Sequence, residues 1–221
     1  MRDATWLIVS AAEVPADDGW LGPHERVALD VFGFERRRAD WRAGRWAAKQ
    51  AVLRSGVVPA EATLASLEIL SADDGCPELW LGGERAGVKL SISHRAGAAV
   101  ALVCGGHKIA GCDLELVERR AQSFAMDWFT PGELEAVNRA TQASRDRLVT
   151  LIWSAKESAL KAVRIGLRAD TRDVEISPGA SEFVASIHGL ELPGWWRVDG
   201  NWLMTAVVAD ATANVEERMR C

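Results

Sequence analysis

Trp153-Ser154-Ala155-Lys156-Glu157-Ser158-Ala159-Leu160-Lys161 is the stretch around which the rest of this chain is arranged. It lies in a helical pattern running from about Arg147 to Arg164, where Leu148, Ile152, Ala155, Ala159 and Val163 recur as one apolar stripe. Trp153, Glu157 and Lys161 fall four apart and line another face, roughly opposite the stripe. A buried stripe holds such a helix still while the second face presents a carboxylate beside an ammonium. Taken alone, the segment is most economically an exposed Glu–Lys pair, which contributes only about 0.3–0.5 kcal/mol.

The stretch has an echo upstream. Trp46-Ala47-Ala48-Lys49-Gln50-Ala51-Val52-Leu53 aligns on Trp153–Leu160 without gaps. A helix opening at a proline precedes each copy, at Pro23-His24-Glu25 and Pro131-Gly132-Glu133, and several short strands follow each. This order of elements points to duplication: two similar α+β halves, residues 1–106 and 107–221, meeting near Gly105-Gly106.

Trp6–Ser10 reads as an opening strand, since the apolar core there is too short for a signal peptide. Helices are expected over about His24–Val31 and Arg37–Arg54, the second ending at Gly56 as a C-cap. Strands are expected at Leu67–Leu70, Glu78–Leu81, Leu90–His94, Ala98–Val103 and Lys108–Val117, with Asp73-Asp74-Gly75-Cys76-Pro77 a strong turn. Phe124–Phe129 and Pro131–Thr141 read as helices. The second has Thr130 as N-cap, Pro131 at N1 and Glu133 at N3 of a capping box. Val174–Ile176, Phe183–Ile187, Trp195–Val198 and Trp202–Val208 read as a closing sheet, and Glu216–Cys221 as a frayed tail.

The 221 residues, 48% apolar and 26% charged, suffice for one large domain or two small ones with real cores. No apolar run approaches the ~20 residues that cross a bilayer. Cys76, Cys104, Cys112 and Cys221 show no CxxC spacing, so neither a zinc site nor a disulfide framework is indicated, and thiols in a cytoplasmic protein are the default. A net charge of -5 argues against a general nucleic-acid binder, while leaving room for a local basic pocket that takes a phosphorylated ligand. The ten tryptophans are not interleaved with basic residues and read as core and interface material.

Candidate chemistry sits at three further places. In Gly111-Cys112-Asp113-Leu114-Glu115 strand alternation puts Asp113 and Glu115 on one face, Cys112 and Leu114 on the other. Neighbouring carboxylates repel unless a cation joins them, and a hard ion such as Mg²⁺ is the natural partner; a solvent-facing sheet edge is the alternative. Ser91-Ile92-Ser93-His94-Arg95 ends a strand at a polar turn whose hydroxyl, imidazole and amides suit a phosphate, or is an ordinary strand end. A Ser-His-Asp hydrolase is excluded by the lack of a GxSxG elbow. Arg45 and Lys49, four apart, either point two cations at one anion or form a solvated basic shoulder. Arg36-Arg37-Arg38 and Arg119-Arg120 read as solvated faces.

Taken in order, these elements resemble the 4′-phosphopantetheinyl transferases of the type that activates surfactin synthetase. The shared pattern is a Gly-Arg helix (Gly44-Arg45 with Lys49), an S-x-S-H turn (Ser91–His94), a G-x-D-x-E strand (Gly111–Glu115) and a W-x-x-K-E-x-x-x-K helix (Trp153–Lys161). The fold this resemblance implies is α+β: two similar halves related by a pseudo-twofold, each a small sheet packed on a long helix, with the coenzyme A site between them. The activity it implies is transfer of phosphopantetheine from coenzyme A to a serine of an apo carrier protein or carrier domain, releasing adenosine 3′,5′-bisphosphate. Asp113, Glu115 and Glu157 would hold Mg²⁺, with Mn²⁺ as a substitute. Lys161 and Lys156 would neutralise phosphate charge, and Glu157 would also accept the serine proton. Arg45, Lys49, Ser93 and His94 would grip the 3′-phosphate and pyrophosphate. A cytoplasmic monomer without nucleic-acid or membrane partners is expected, serving fatty acid, polyketide or nonribosomal peptide synthesis. Where many relatives carry a Lys or Arg between the glycine and proline of the turn, this chain has Cys76, which implies either weaker coenzyme A binding or compensation by another cation such as Arg85 or Lys89. A catalytically idle coenzyme A-binding or carrier-docking module is the alternative, and a Mg²⁺-dependent phosphoesterase a third reading.

Overall fold

Two long helices organise the chain, each underlying its own sheet. A computed structural model describes residues 4–166 and 169–211, so the tail expected at Glu216–Cys221 lies outside the described residues. The chain divides into two units, Met1–Lys108 and Ile109–Cys221.

The first unit runs β1 (Ala4–Ser10), α1 (Pro23–Asp30), α2 (Glu35–Ser55), β2 (Leu67–Ser71), β3 (Pro77–Leu81), β4 (Glu84–Arg85), β5 (Val88–Arg95) and β6 (Ala98–Gly105). The strands form two three-stranded sheets, β1-β6-β5 and β2-β3-β4. α2 stops at Gly56, whose φ of 69° is the left-handed C-cap expected of a glycine there. Ala43, Ala47, Ala48, Ala51 and Val52 of α2 pack on Val9, Ile69, Leu90, Ala99, Ala101 and Val103. The alanines let the helix lie close on the sheet, and each buried Val, Leu or Ile contributes about 1.5–3 kcal/mol.

The second unit runs β7 (Lys108–Leu116), α3 (Gln122–Trp128), α4 (Pro131–Arg139), α5 (Gln142–Ala162), β8 (Val174–Pro178), β9 (Glu182–Ile187), β10 (Leu190–Asp199) and β11 (Trp202–Asp210). Its five strands are ordered β7-β11-β10-β9-β8. Ile152, Ala155, Ala159 and Leu160 of α5 pack against Val174, Ile176, Phe183, Ala185, Ile187 and Val207. The α+β class with a sheet on a long helix in each half is thus observed. The two-faced helix expected around Trp153–Lys161 is not: α5 is buried on nearly every side from Val149 to Ala162. Its serines are accommodated by Thr205 of β11, whose Oγ1 lies 2.9 Å from Ser154 Oγ and 2.6 Å from Ser158 Oγ.

Lys49 and Lys156, read from sequence as phosphate ligands, are instead fully buried and belong to matching structural joints. In the first unit Lys49 Nζ bonds Glu25 Oε2 at 2.5 Å and donates to the carbonyls of Trp20 and Leu64. Glu25 in turn accepts from Gly22 N at the start of α1 and from Ile69 N in β2. In the second unit Lys156 Nζ lies 2.8 Å from Glu133 Oε2 and donates to the carbonyls of Thr171 and Val174. Glu133 accepts from Thr130 N at the start of α4 and from Ile176 N in β8. In each unit one closed network joins the short proline-opened helix, the long helix and the strand that follows. Burial lowers the pKa of both lysines, an effect the facing glutamates oppose. A buried charge left without its partner is costly, so Lys156→Ala is expected to lose about 3–5 kcal/mol in urea unfolding.

Candidate functional site

β7 crosses α5 backbone to backbone, and Gly111 makes the crossing possible. A Cβ at Gly111 would fall against the Ser158 carbonyl oxygen and 2.5 Å from Ala162 N. Two residues further along β7, Asp113 meets Lys161 of α5: Nζ lies 2.7 Å from Asp113 Oδ1 and 3.4 Å from Glu157 Oε2. Asp113, Glu115 and Glu157 each bring a carboxylate oxygen to a cluster whose atoms lie within 4.8 Å of one another. Asp113 and Glu115 are buried and Glu157 half-buried, so this is no solvent-facing sheet edge. Three hard oxygen donors without histidine or cysteine fit Mg²⁺ or Mn²⁺ rather than zinc.

The electrostatics agree with a site short of positive charge. Burial first, and the Asp113 carboxylate second, raise the Glu157 pKa to about 7. Burial pulls the Lys161 pKa down, but Asp113 and then Glu157 outweigh it and hold the ammonium above its usual range. A carboxyl whose folded pKa exceeds its unfolded value binds protons more tightly in the native state. Its contribution to stability is complete below about pH 4.5 and is lost as pH rises to about 7. In chelator, Glu157→Gln is therefore expected to flatten the fall in urea-unfolding stability across that window.

The first unit collects other expected residues around a cavity of about 300 Å³ walled by Arg37, Trp41, Arg45, Ile92 and His94. The Arg45 guanidinium lies 4.6 Å from the centre of the Trp41 ring, and its Nε donates to Ile69 O at 3.2 Å. Burial lowers its pKa to about 10. His94 is half exposed, with Nδ1 3.9 Å from Asp40. Ser93 is buried, and as the neighbour of His94 along β5 it faces the opposite side of the strand, away from that cavity. Arg85, expected to stand in for a cation at Cys76, pairs with Glu78 at 2.7 Å.

Arg120 was not among the residues expected here. It is mostly buried, and its Nη2 donates to Glu115 Oε2 at 2.9 Å. An Arg-Arg pair in sequence looks like a solvated surface, and the only local sign was Phe124 four residues on, whose ring the guanidinium covers at 4.5 Å.

Among curated proteins none matches the chain. Of solved structures, a holo-(acyl-carrier-protein) synthase from Bacillus anthracis str. Ames, in complex with CoA (3′,5′-ADP), is 28% identical. The match covers 46% of this chain and 92% of that one, with a TM-score of 0.40. The Helicobacter pylori holo-[acyl-carrier-protein] synthase in complex with coenzyme A is 22% identical over 46% of this chain and 98% of that one, TM-score 0.36. The Thermotoga maritima synthase is 23% identical over 55% and 71%, TM-score 0.40. Family models give the broader result. The model of the 4′-phosphopantetheinyl transferase superfamily matches residues 109–207, and that of the 4′-phosphopantetheinyl transferase N-terminal domain matches residues 33–104. These two matches span both halves and both sets of site residues: the chain belongs to the 4′-phosphopantetheinyl transferase superfamily.

Proposed function

We propose that this protein transfers the 4′-phosphopantetheine group from coenzyme A to a serine hydroxyl of an apo carrier protein, as a transferase of the surfactin-synthetase-activating type. The observation that carries the reading is the meeting of Asp113, Glu115, Glu157 and Lys161 where β7 crosses α5, in a chain of this family. In the reaction the serine Oγ bonds to the phosphorus bearing the pantetheine arm. The bond from that phosphorus to the bridging oxygen breaks, and adenosine 3′,5′-bisphosphate leaves.

Asp113, Glu115 and Glu157 would hold Mg²⁺, which supplies Lewis-acid neutralisation of the pyrophosphate when bound. Glu157, beside Lys161 in the cluster, would also accept the serine proton as the new bond forms. Lys161 keeps its charge through any working pH and offers it to the pyrophosphate as the bond breaks. Arg45, Arg37 and His94 would hold coenzyme A phosphates in the first unit. Lys49 and Lys156 take no direct part and serve to keep α2 and α5 in place. The described cysteines Cys76, Cys104 and Cys112 are not in disulfides, and no described helix is long and apolar enough to cross a membrane. Action in the cytoplasm is part of the proposal.

The test is a mass-shift assay. An apo carrier protein mixed with coenzyme A, Mg²⁺ and this protein is expected to gain one phosphopantetheine, and to gain none in chelator. Bound coenzyme A with no mass change across several carriers would favour an idle binding module instead. Lys161→Ala is expected to lower kcat more than coenzyme A affinity, because its charge matters most in the transition state. An unchanged kcat with a raised KM would remove that role.

A further inference from the structure

The carboxylates of the cluster are not held alike. Glu157 and Asp113 meet Lys161, whose side chain is 28% exposed on a flexible stem. Glu115 is gripped from both ends. Its Oε2 accepts from Arg120 Nη2 at 2.9 Å and its Oε1 from Trp153 Nε1 at 3.1 Å. Arg120 and Glu115 are only 14% and 10% exposed at their side chains.

The two donors are themselves tied together. The Arg120 guanidinium covers the Phe124 ring at 4.5 Å, and Phe124 packs edge-on against Trp153 with ring centroids 5.1 Å apart. Glu115, Arg120, Phe124 and Trp153 thus close a ring that spans β7, the connection after it, α3 and α5. The guanidinium is planar and stacked, so it cannot swing away as a lysine would. A carboxylate has about four acceptor positions, and two of them occupied by fixed donors leave the plane of the group set.

We infer that Arg120 is a positioning residue, which with Trp153 locks the Glu115 carboxylate in the orientation that completes the divalent-cation site with Asp113 and Glu157. The inference rests on the metal site proposed above. Two effects of Arg120 oppose each other. Its charge repels a dication nearby, so by charge alone its removal would tighten metal binding. Its hydrogen bond fixes a ligand, and loss of such an outer partner usually costs about 10–100-fold in metal affinity. The stacked, nearly buried arrangement makes orientation the larger effect.

The sign of the change therefore tests the inference. The probe is Mn²⁺, titrated into the full chain and followed by electron paramagnetic resonance, with a thermal melt to read folding. Arg120→Met keeps the stem over Phe124 but removes donors and charge, and is expected to weaken Mn²⁺ binding about 10–100-fold. Arg120→Lys restores one donor and is expected to recover part of that loss. Phe124→Leu leaves Arg120 its hydrogen bond without the ring beneath it, and is expected to weaken binding by a smaller factor. This last variant carries the test if Arg120→Met does not fold. Unchanged or tighter binding in the folded variants overturns the role of Arg120 while leaving the metal site standing. Failure of the parent protein to bind Mn²⁺ overturns both.

Discussion

Asp113→Ala and Glu157→Ala are each expected to lower phosphopantetheine transfer by about 10²–10³-fold or more, the scale on which removal of a single preorganised electrostatic group acts. The carrier mass-shift assay at saturating coenzyme A measures it. Each substitution removes one of the three carboxylates of the cluster at the β7–α5 crossing. Asp113→Ala also frees Lys161 from its 2.7 Å partner, so charge placement and metal affinity suffer together. Both variants are expected to melt as folded proteins. The Lys161 side chain is partly exposed and can carry its ammonium to water when a carboxylate is lost. Lys156 has no such exit, which is why loss of its carboxylate partner Glu133 on α4 would attack the fold instead. Full activity in either Asp113→Ala or Glu157→Ala would remove the metal-site reading.

Gly111→Ala is expected to destabilise the protein by about 3 kcal/mol or more, at the upper end of what overpacking costs. The added methyl group would meet backbone atoms of α5, Ser158 O and Ala162 N, which cannot turn aside as a side chain can. The strand must therefore draw back from the helix, and the carboxylates of β7 draw back with it from Glu157. Loss of Mn²⁺ binding is expected to accompany the loss of stability in urea unfolding. Wild-type stability in Gly111→Ala would show that the crossing is looser than described.

What was legible in the sequence was local. The cap at Gly56, the capping box of Thr130 and Glu133, and the two long helices α2 and α5 all depend on neighbours a few residues apart, and all are present. β4 was not legible, because Glu84–Arg85 is strand only by pairing with β3. The spacings of Asp113 with Glu115 and of Glu157 with Lys161 could be read, and their convergence suspected. The reason for the glycine at 111 could not, since it depends on a helix about 50 residues away. Lys49, Lys156 and Arg120 misled for one reason. A long cation reads as solvated or ligand-facing in a sequence, and only the fold reveals the buried acceptors around it.

The Glu25–Lys49 joint has a bearing on inheritance. The first half keeps its tryptophan and lysine but carries Gln50 where the second half carries Glu157. Its lysine is retained by three buried acceptors, with no reaction required of it. A descendant that lost Glu157 but kept the Asp113–Lys161 pair and both joints is expected to fold as this chain does and to resist proteolysis as well. Selection on stability would not notice the difference. Such silent copies can persist in a genome, and measuring turnover is what separates them from working ones.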